Sequence, residues 1–255
     1  MNNEKTRKLK LRSNRRMQHP LLQPLSPVLP SQHQLQTIEG SLDILKNQTT
    51  PALLQACGLH FHHPGNPLFT DFSATIRPGI TLIKGGDGRG KSSLLRLLAG
   101  ALSAQKGTLQ IKGVSLHDQP LVYRQQVFWT ESRSDAFDSL TALAYFESVR
   151  RRYEGFNDNL LSELIEGLGL TPHLEKQLFM LSTGSKRKVW IAAAFASNAP
   201  VTLLDEPFAA LDTASINFMI QQLQVSENQT ERAWILADYQ APAGVPLAGL
   251  IDLGE

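Results

Sequence analysis

The stretch GGDGRGKSS at residues 85–93 decides the fold, because four residues separate Gly85 from the run Gly90, Lys91 and Ser92. The apolar run ITLIKG leads into it and indicates a strand, whereas KSSLLRLLAG repeats leucine at helical spacing and stops on a glycine. Glycines let the backbone turn its N–H groups inward around an anion, and a helix that begins there adds partial positive charge. The sequence therefore predicts a phosphate-binding loop between a strand and a helix.

Two side chains of this loop are suited to a nucleoside triphosphate. Lys91 can reach the β- and γ-phosphates, and the Ser92 hydroxyl can act as a ligand of Mg²⁺. The residues expected to bind the nucleotide here are Gly85, Gly86, Asp87, Gly88, Arg89, Gly90, Lys91, Ser92 and Ser93.

The stretch VTLLDEP at residues 201–207 supplies two carboxylates. An apolar strand would deliver Asp205 at its end, where a carboxylate can hold the metal's coordination shell. Glu206 follows at once and can orient and polarise a water for in-line attack on the γ-phosphate. An acidic pair at the end of a strand is common by itself, so its weight comes from the phosphate loop upstream.

Apolar runs along the chain alternate between strand-like and helix-like patterns. Strand candidates flank the loop and return at VTLLD, AWILAD and GLIDLG, whereas residues 140–197 are mostly helical in pattern. This alternation predicts an α/β fold, with a parallel or mixed sheet and a helical insertion.

Composition bounds the class of protein. A chain of 255 residues with 42% hydrophobic content can bury a core, and its net charge of +2 comes largely from basic residues between Lys5 and Arg16. The folded part is thus near neutral, which argues against nucleic-acid binding.

The single Cys57 fits a reducing cytosol, and no apolar stretch is long enough to span a membrane. Residues 1–50 are predicted to be a disordered, basic and proline-rich extension, either a membrane-surface or targeting arm or a solvated tail.

A third motif, LSTGS at residues 181–185, opens a predicted helix shortly before the acidic strand. Ser182 and the backbone around Gly184 would form an anion site at the helix N-terminus. With the three motifs in this order, residues 51–253 resemble the ATP-binding cassette (ABC) ATPase family, whose signature here is close to LSGGQ. The short chain with a single cassette is similar to the small ATPase subunits of bacterial haem exporters.

The resemblance implies a P-loop NTPase fold with a mixed sheet, a parallel sheet and a helical subdomain at about residues 132–185. It implies an ATPase that uses ATP and Mg²⁺, with Lys91 and Glu206 catalytic. Ser182 and Gly184 would contact the γ-phosphate held by a second ATP-binding subunit in a homodimer. The other expected partner is an integral membrane transporter subunit, which would place the chain at the cytoplasmic face of the inner membrane.

Several positions depart from the family pattern. Thr183 and Ser185 replace the first Gly and the Gln of the signature, and Asp238 and Tyr239 stand where a histidine normally contacts the γ-phosphate. Neither Asp nor Tyr is a cation at neutral pH, so a donor to the transferring phosphate is lost or must come from the tyrosine hydroxyl. Slow hydrolysis is therefore expected. The best match for the family's metal-side glutamine is Glu131, which would be a metal neighbour or else a plain loop carboxylate.

The segment GLHFHHPGN lies where the family stacks the adenine on an aromatic ring. His63 matches that place, Phe61 is the alternative ring, and a surface loop is the third interpretation. The run Lys186 to Lys188 is interpreted as the solvated side of the signature helix.

Two further hypotheses for the whole chain are an ATP-binding regulatory or structural module with little hydrolysis, and a soluble cassette protein acting on ribosomes or DNA.

Overall fold

The computed structural model describes residues 51–129, 135–226 and 230–254. The strands are β1 (Leu54–His63), β2 (Asn66–Ile76), β3 (Gly79–Lys84), β4 (Lys106–Ile111), β5 (Val114–Ser115), β6 (Val127–Trp129), β7 (Val201–Asp205), β8 (Ala233–Asp238) and β9 (Gly249–Asp252). The helices are α1 (Lys91–Leu98), α2 (Pro120–Gln125), α3 (Ala142–Arg152), α4 (Asp158–Gly167), α5 (Thr183–Ala196) and α6 (Thr213–Ser226), with 3₁₀ turns at Thr171–His173 and Leu178–Met180. In this part of the chain, no helix combines the length and apolar character that crossing a bilayer requires.

A four-stranded antiparallel sheet has the strand order β2-β1-β4-β5. The start of β1 alternates in burial, with Leu54 and Ala56 buried on either side of exposed Gln55. Leu54 pairs with Ile76 of β2 on one side and with Ile111 of β4 on the other. One face of this sheet therefore packs on the core, as alternating antiparallel strands do.

A five-stranded parallel sheet has the order β6-β7-β8-β3-β9. β3, β7 and β8 are buried along their length and become less buried only at their last residues, Lys84, Asp205 and Asp238. The register pairs Lys84 with Asp238, and Asp205 with Ala237. Charged residues from separate strands thus meet at the carboxyl edge, where open α/β sheets bind their ligands.

α1 joins the two sheets through a continuous apolar cluster. Leu94, Leu95, Leu97 and Leu98 are fully buried and belong to the same cluster as the inward residues of β1, β2 and β4. A helix that buries so many leucines in two turns is fixed in position, and so is the phosphate loop from which it begins.

α5 is the central element of a second cluster, which also contains residues of α3 and α4. Phe195 of α5 packs against Trp234 of β8 with 4.3 Å between ring centroids. The buried Arg232 donates from Nη1 to the Phe195 carbonyl at 3.0 Å and from Nη2 to the Ala194 carbonyl at 2.6 Å. The guanidinium therefore satisfies carbonyls at the end of α5 that have no helical partner.

The α/β class with two sheets agrees with the fold expected from the sequence. The structure adds α2 and the short strand β6, which sequence periodicity did not indicate. α3 and α4 lie within the helical insertion expected at about residues 132–185. The extension expected at residues 1–50 lies outside the described residues.

Candidate nucleotide site

The phosphate loop connects the carboxyl end of β3 to the first turn of α1. The Gly86 amide donates to the Gly254 carbonyl at 2.9 Å, which fastens the loop to the residues after β9. Gly90 is the N-cap of α1 at φ 95°, and a Cβ there would lie 2.8 Å from Leu68 Cδ2. Glycine is required at this position by both its backbone angle and its close neighbour.

Lys91 is held inside this loop. Its side chain is 7% exposed, and Nζ donates to the Gly85 carbonyl at 2.6 Å and to the Gly86 carbonyl at 3.0 Å. The Tyr239 ring lies on the ammonium, with 4.1 Å from Nζ to the ring centroid. The ammonium is therefore placed at the loop centre by two carbonyl oxygens and an aromatic ring.

Ser92 and Asp205 meet although they lie far apart in the sequence. The Ser92 hydroxyl donates to Asp205 Oδ2 at 2.7 Å. This contact joins the first turn of α1 to the end of β7. A hydroxyl and a carboxylate oxygen side by side are hard oxygen donors, the type of ligand that Mg²⁺ prefers. The pair thus fits the metal expected from the sequence.

Glu206 begins the loop after β7 in a left-handed conformation with φ 45°. Its amide donates to the Ala237 carbonyl at 2.8 Å, and its carbonyl accepts a hydrogen bond from Nη1 of Arg187 on α5. Both peptide groups of Glu206 are therefore fixed by other elements, as a strained non-glycine residue requires. Burial lowers the pKa of the Arg187 guanidinium, which the nearby acidic residues Glu206, Asp205 and Asp238 oppose.

A cleft of about 340 Å³ gathers these groups. His63 stands at its side, with Nε2 at 3.2 Å from the Ser93 hydroxyl and its ring edge-on to Phe61 at 4.9 Å. Gly85 is buried, and Arg89 is exposed outside the lining. The lining residues are His63, Asn66, Leu68, Gly86, Asp87, Gly88, Gly90, Lys91, Ser92, Ser93 and Glu206. Asn66 and Leu68 were not found from the sequence, because they lie on a strand with no motif.

Asp238, the last residue of β8, and Tyr239, which follows it, lie beside the phosphate loop but outside the described lining of the cleft. Asp238 is half-buried; desolvation raises the pKa of its carboxyl, although the Tyr239 amide, which donates to Oδ1 at 2.7 Å, opposes the rise. The Tyr239 hydroxyl donates to Oδ1 of Asp87 in the phosphate loop. That hydrogen bond is the main cause that raises the pKa of Tyr239 to about 12, so the phenol keeps its proton at neutral pH.

The signature residues lie apart from this cleft. The Ser182 hydroxyl accepts from the Ser185 amide at 3.1 Å and so caps α5. A Cβ on Gly184 would lie 2.4 Å from the Ala210 carbonyl, so α5 packs tightly against the loop after Glu206. Ser182 and Gly184 are absent from the described lining of the cleft. Glu131, the expected metal-side residue, lies outside the described residues.

The basic run on α5 makes contacts within the chain, contrary to the expectation of a solvated face. Lys186 forms an ion pair with Asp138, and Lys188 Nζ lies 2.6 Å from Asp212 Oδ2. Both lysine side chains are 17% exposed. The sequence did not indicate these contacts because the carboxylates lie in distant segments.

Among the described residues, no group of three metal-binding side chains surrounds His63 or any other position.

A parallel sheet with a glycine-rich phosphate loop and a strand-end Asp-Glu pair at one edge defines a P-loop NTPase. The protein-family model described as "ABC transporter" matches residues 69–209, and the chain belongs to this family. It is an ATP-binding, ATP-hydrolysing subunit of the ABC type.

Curated relatives agree with this assignment. The cytochrome c biogenesis ATP-binding export protein CcmA of Pseudomonas savastanoi is 30% identical over 167 residues, 65% of this chain and 78% of that protein. CcmA of Idiomarina loihiensis is 31% identical over 175 residues, 68% and 80% of the two chains. The taurine import ATP-binding protein TauB of Pseudomonas fluorescens is 30% identical over 200 residues, 77% and 75% of the two chains.

Solved structures share the fold. An ATP-binding subunit of an ABC transporter superposes with a TM-score of 0.65 at 22% identity, covering 72% of this chain and 79% of that one. A dimeric ATP-binding cassette described in a post-hydrolysis state with ADP and Pi gives a TM-score of 0.61 at 18% identity, covering 73% and 88%.

Proposed function

We propose that two copies of this chain close around Mg-ATP and drive an integral membrane transporter subunit. The observation that carries the proposal is the contact of 2.7 Å between Ser92 Oγ and Asp205 Oδ2, at the same sheet edge as Lys91 and Glu206. These residues come from separate motifs, and their convergence matches the arrangement that phosphoryl transfer needs.

Each group has a chemical role in this proposal. The loop amides and Lys91 bind and orient the β- and γ-phosphates. Ser92 and Asp205 hold Mg²⁺, which when bound neutralises charge on the phosphate oxygens. A Glu206 carboxylate oxygen accepts a hydrogen bond from the attacking water and takes its proton as the water oxygen bonds to the γ-phosphorus. The bond from that phosphorus to the β–γ bridging oxygen breaks, and ADP leaves with the bonding electrons. His63 lies at the side of the cleft, where its ring can stack on a base.

A second copy is supported by the position of the signature residues. Ser182 and Gly184 begin α5 but are absent from the described lining of the chain's own cleft. A helix N-terminus binds anions, so these residues are suited to a phosphate held by another chain. The dimeric description of one structural neighbour supports the same assembly.

A membrane partner is supported by an exposed apolar surface formed by Phe137, Leu143, Phe179 and Met180, here called the apolar face. Its side chains are 39%, 48%, 62% and 60% exposed. Backbone hydrogen bonds hold its two segments together, from Phe179 N to Asp138 O and from Leu143 N to Leu174 O. Exposed clusters of this kind mark interaction sites. We propose that the partner binds there and keeps the chain at the cytoplasmic face of the membrane.

The test is the variant Glu206→Gln, which keeps the shape of the side chain but removes its basicity. Turnover should fall about a hundredfold or more, and saturating Mg-ATP should give a stable dimer by size-exclusion chromatography with light scattering. Lys91→Ala is the control, since it should bind ATP poorly and stay monomeric. A Glu206→Gln protein that remains monomeric with Mg-ATP, or hydrolyses as fast as the wild type, would overturn the proposal.

A further inference from the structure

Tyr239 lies across the mouth of the phosphate loop and contacts it in two places. Its ring covers the Lys91 ammonium at 4.1 Å, and its hydroxyl donates to Asp87 Oδ1. Tyr239 follows the last residue of β8, whereas Asp87 and Lys91 belong to the loop between β3 and α1. The hydrogen bond therefore links two elements that are 152 residues apart in the sequence.

The contacts of Lys91 compete directly with phosphate binding. An ammonium group has three donors. Two donate to the Gly85 and Gly86 carbonyls, and the third side of the group faces the Tyr239 ring at a distance typical of a cation–π contact. A phosphate oxygen that approaches Nζ from that side meets the ring, so the ring and the phosphate are alternative partners of Lys91.

The hydroxyl of Tyr239 also has alternative acceptors. At neutral pH the phenol is protonated and donates to the Asp87 carboxylate. A terminal phosphate oxygen is an anionic acceptor of comparable strength. The Tyr239 ring covers Lys91, the residue proposed to bind the β- and γ-phosphates, so the proposed site would place a terminal phosphate near this hydroxyl. A diphosphate has no γ-phosphate, so only the triphosphate would offer the hydroxyl a replacement for Asp87.

We propose that Tyr239 is a latch on the phosphate loop, which any bound nucleotide must displace from Lys91 and Asp87, and which then donates its hydroxyl to the terminal phosphate of a triphosphate. The proposal rests on the proposed nucleotide site and assigns a regulatory and positioning role to one of its residues. The hydrogen bond from Tyr239 to Asp87 must break before either nucleotide binds, which lowers the affinity for both. Only ATP offers the hydroxyl a new acceptor, so only ATP regains a hydrogen bond in its place. It therefore sets the preference for ATP over ADP.

The proposal makes different predictions for two variants that remove the two ends of the same hydrogen bond. Tyr239→Phe keeps the ring and loses the hydroxyl, so ADP should bind about fivefold more tightly, the typical net effect of one hydrogen bond. ATP should bind about as tightly as to the wild type, because the variant loses the Asp87 contact and the terminal-phosphate contact together. Asp87→Ala also releases the latch but keeps the hydroxyl, so both nucleotides should bind more tightly and the ATP preference should persist.

The measurement is the Kd of ATP and of ADP by isothermal titration calorimetry on the full chain, with EDTA present to prevent hydrolysis. The double variant completes a cycle, and in ADP binding the two changes should be non-additive by the same factor of about five. Melting temperatures of all variants provide the check on folding, since Tyr239 is 43% exposed and its loss should leave the core unchanged.

The outcomes separate this inference from the function on which it rests. Nucleotide binding that is equal in the wild type and in Lys91→Ala would overturn the proposed function itself. Binding that depends on Lys91 but is the same in Tyr239→Phe as in the wild type, for both nucleotides, would overturn only the latch. An ATP preference that falls equally in Asp87→Ala and Tyr239→Phe would also overturn it.

Discussion

Arg187 holds the main chain of Glu206, the residue proposed to act on the attacking water. Its guanidinium is buried on α5 and donates to the carbonyl of Glu206, whose φ of 45° is unusual for a glutamate. The same peptide is held from the other side by the Ala237 carbonyl. A buried charge is costly unless its donors are bonded, so this contact couples the position of α5 to that of the Glu206 backbone.

Removing the guanidinium should therefore misplace Glu206. We expect Arg187→Met to lower kcat about tenfold, because small displacements of a catalytic group cost large factors in rate, while KM for ATP changes little. Steady-state phosphate release measures both constants. Arg151→Met is the matched control, because Arg151 is 78% exposed and pairs only with Glu147 among the described contacts. Equal kcat values in the two variants would contradict the role given to Arg187.

At the residue scale, the motifs indicated the side chains that gather at the cleft but not the groups that hold them there. Lys91, Ser92, Asp205 and Glu206 could be found because their spacing has a chemical reason that is local in sequence. The contacts of Tyr239 could not, since they depend on where β8 ends relative to a loop far away in the chain. Asp238 and Tyr239 were recognised only as departures from a pattern.

At the scale of elements, α5 and α6 are linked by Lys188 and Asp212. Asp212 accepts from Lys188 Nζ at 2.6 Å and from the Ser215 amide at 2.8 Å, so it also caps the start of α6. The lysine hydrogen bond, followed by the amide of Ser215, holds the pKa of the Asp212 carboxyl well below its usual range. A carboxyl with a lowered pKa in the folded state adds stability above its unfolded pKa and loses it as the pH falls.

The variant Asp212→Asn keeps the oxygen that caps α6 but loses the charge. We expect its melting temperature to lie below that of the wild type at pH 7, by a small amount because the pair is partly solvated. The difference should shrink as the pH falls below about 4, the ordinary pKa of the free carboxyl. Thermal melts of both proteins between pH 7 and pH 3 measure this, and a difference that stays constant over that range would contradict the ion pair.

The elements that sequence patterns indicated are the long ones with a clear period. α1 repeats leucine at helical spacing, and β7 is a mostly apolar, buried run that ends in a carboxylate. β6 has only the residues Val127–Trp129, too few to show any period, and it exists because it pairs with β7. α2 is equally short and is held by tertiary contacts such as the hydrogen bond from Tyr123 to the Leu98 carbonyl at 2.7 Å.

At the scale of the whole molecule, the apolar face and the nucleotide cleft are formed by separate parts of the chain. The face uses residues from 137 to 180, whereas the cleft uses the loop after β3 and the end of β7. Binding to a partner and binding to ATP should therefore be separable by mutation.

The double variant Phe179→Ser and Met180→Ser should reduce co-sedimentation with membranes that contain the partner about tenfold or more, because such apolar contacts dominate interfaces. Its affinity for ATP should equal that of the wild type. Val225→Ser changes another exposed apolar side chain, on α6, and should have no effect on either measurement. Membrane association that survives the double variant would place the partner elsewhere.

The class of fold could be predicted, but the order of its strands could not. Alternating strand and helix patterns indicate an α/β core whatever the order. The observed order β6-β7-β8-β3-β9 places the earliest parallel strand between the two latest, which depends on long-range packing rather than on any local pattern.

That strand order also decides when the phosphate loop can form during synthesis. The Gly86 amide takes its partner from Gly254, and β3 lies between β8 and β9, which begin at Ala233 and Gly249. A ribosome delivers the chain from its N-terminus, so the loop emerges long before these residues do. A nascent chain therefore carries the whole phosphate motif without the strands that hold it in place. The loop therefore gains these supports only after β8 and β9 have been synthesised.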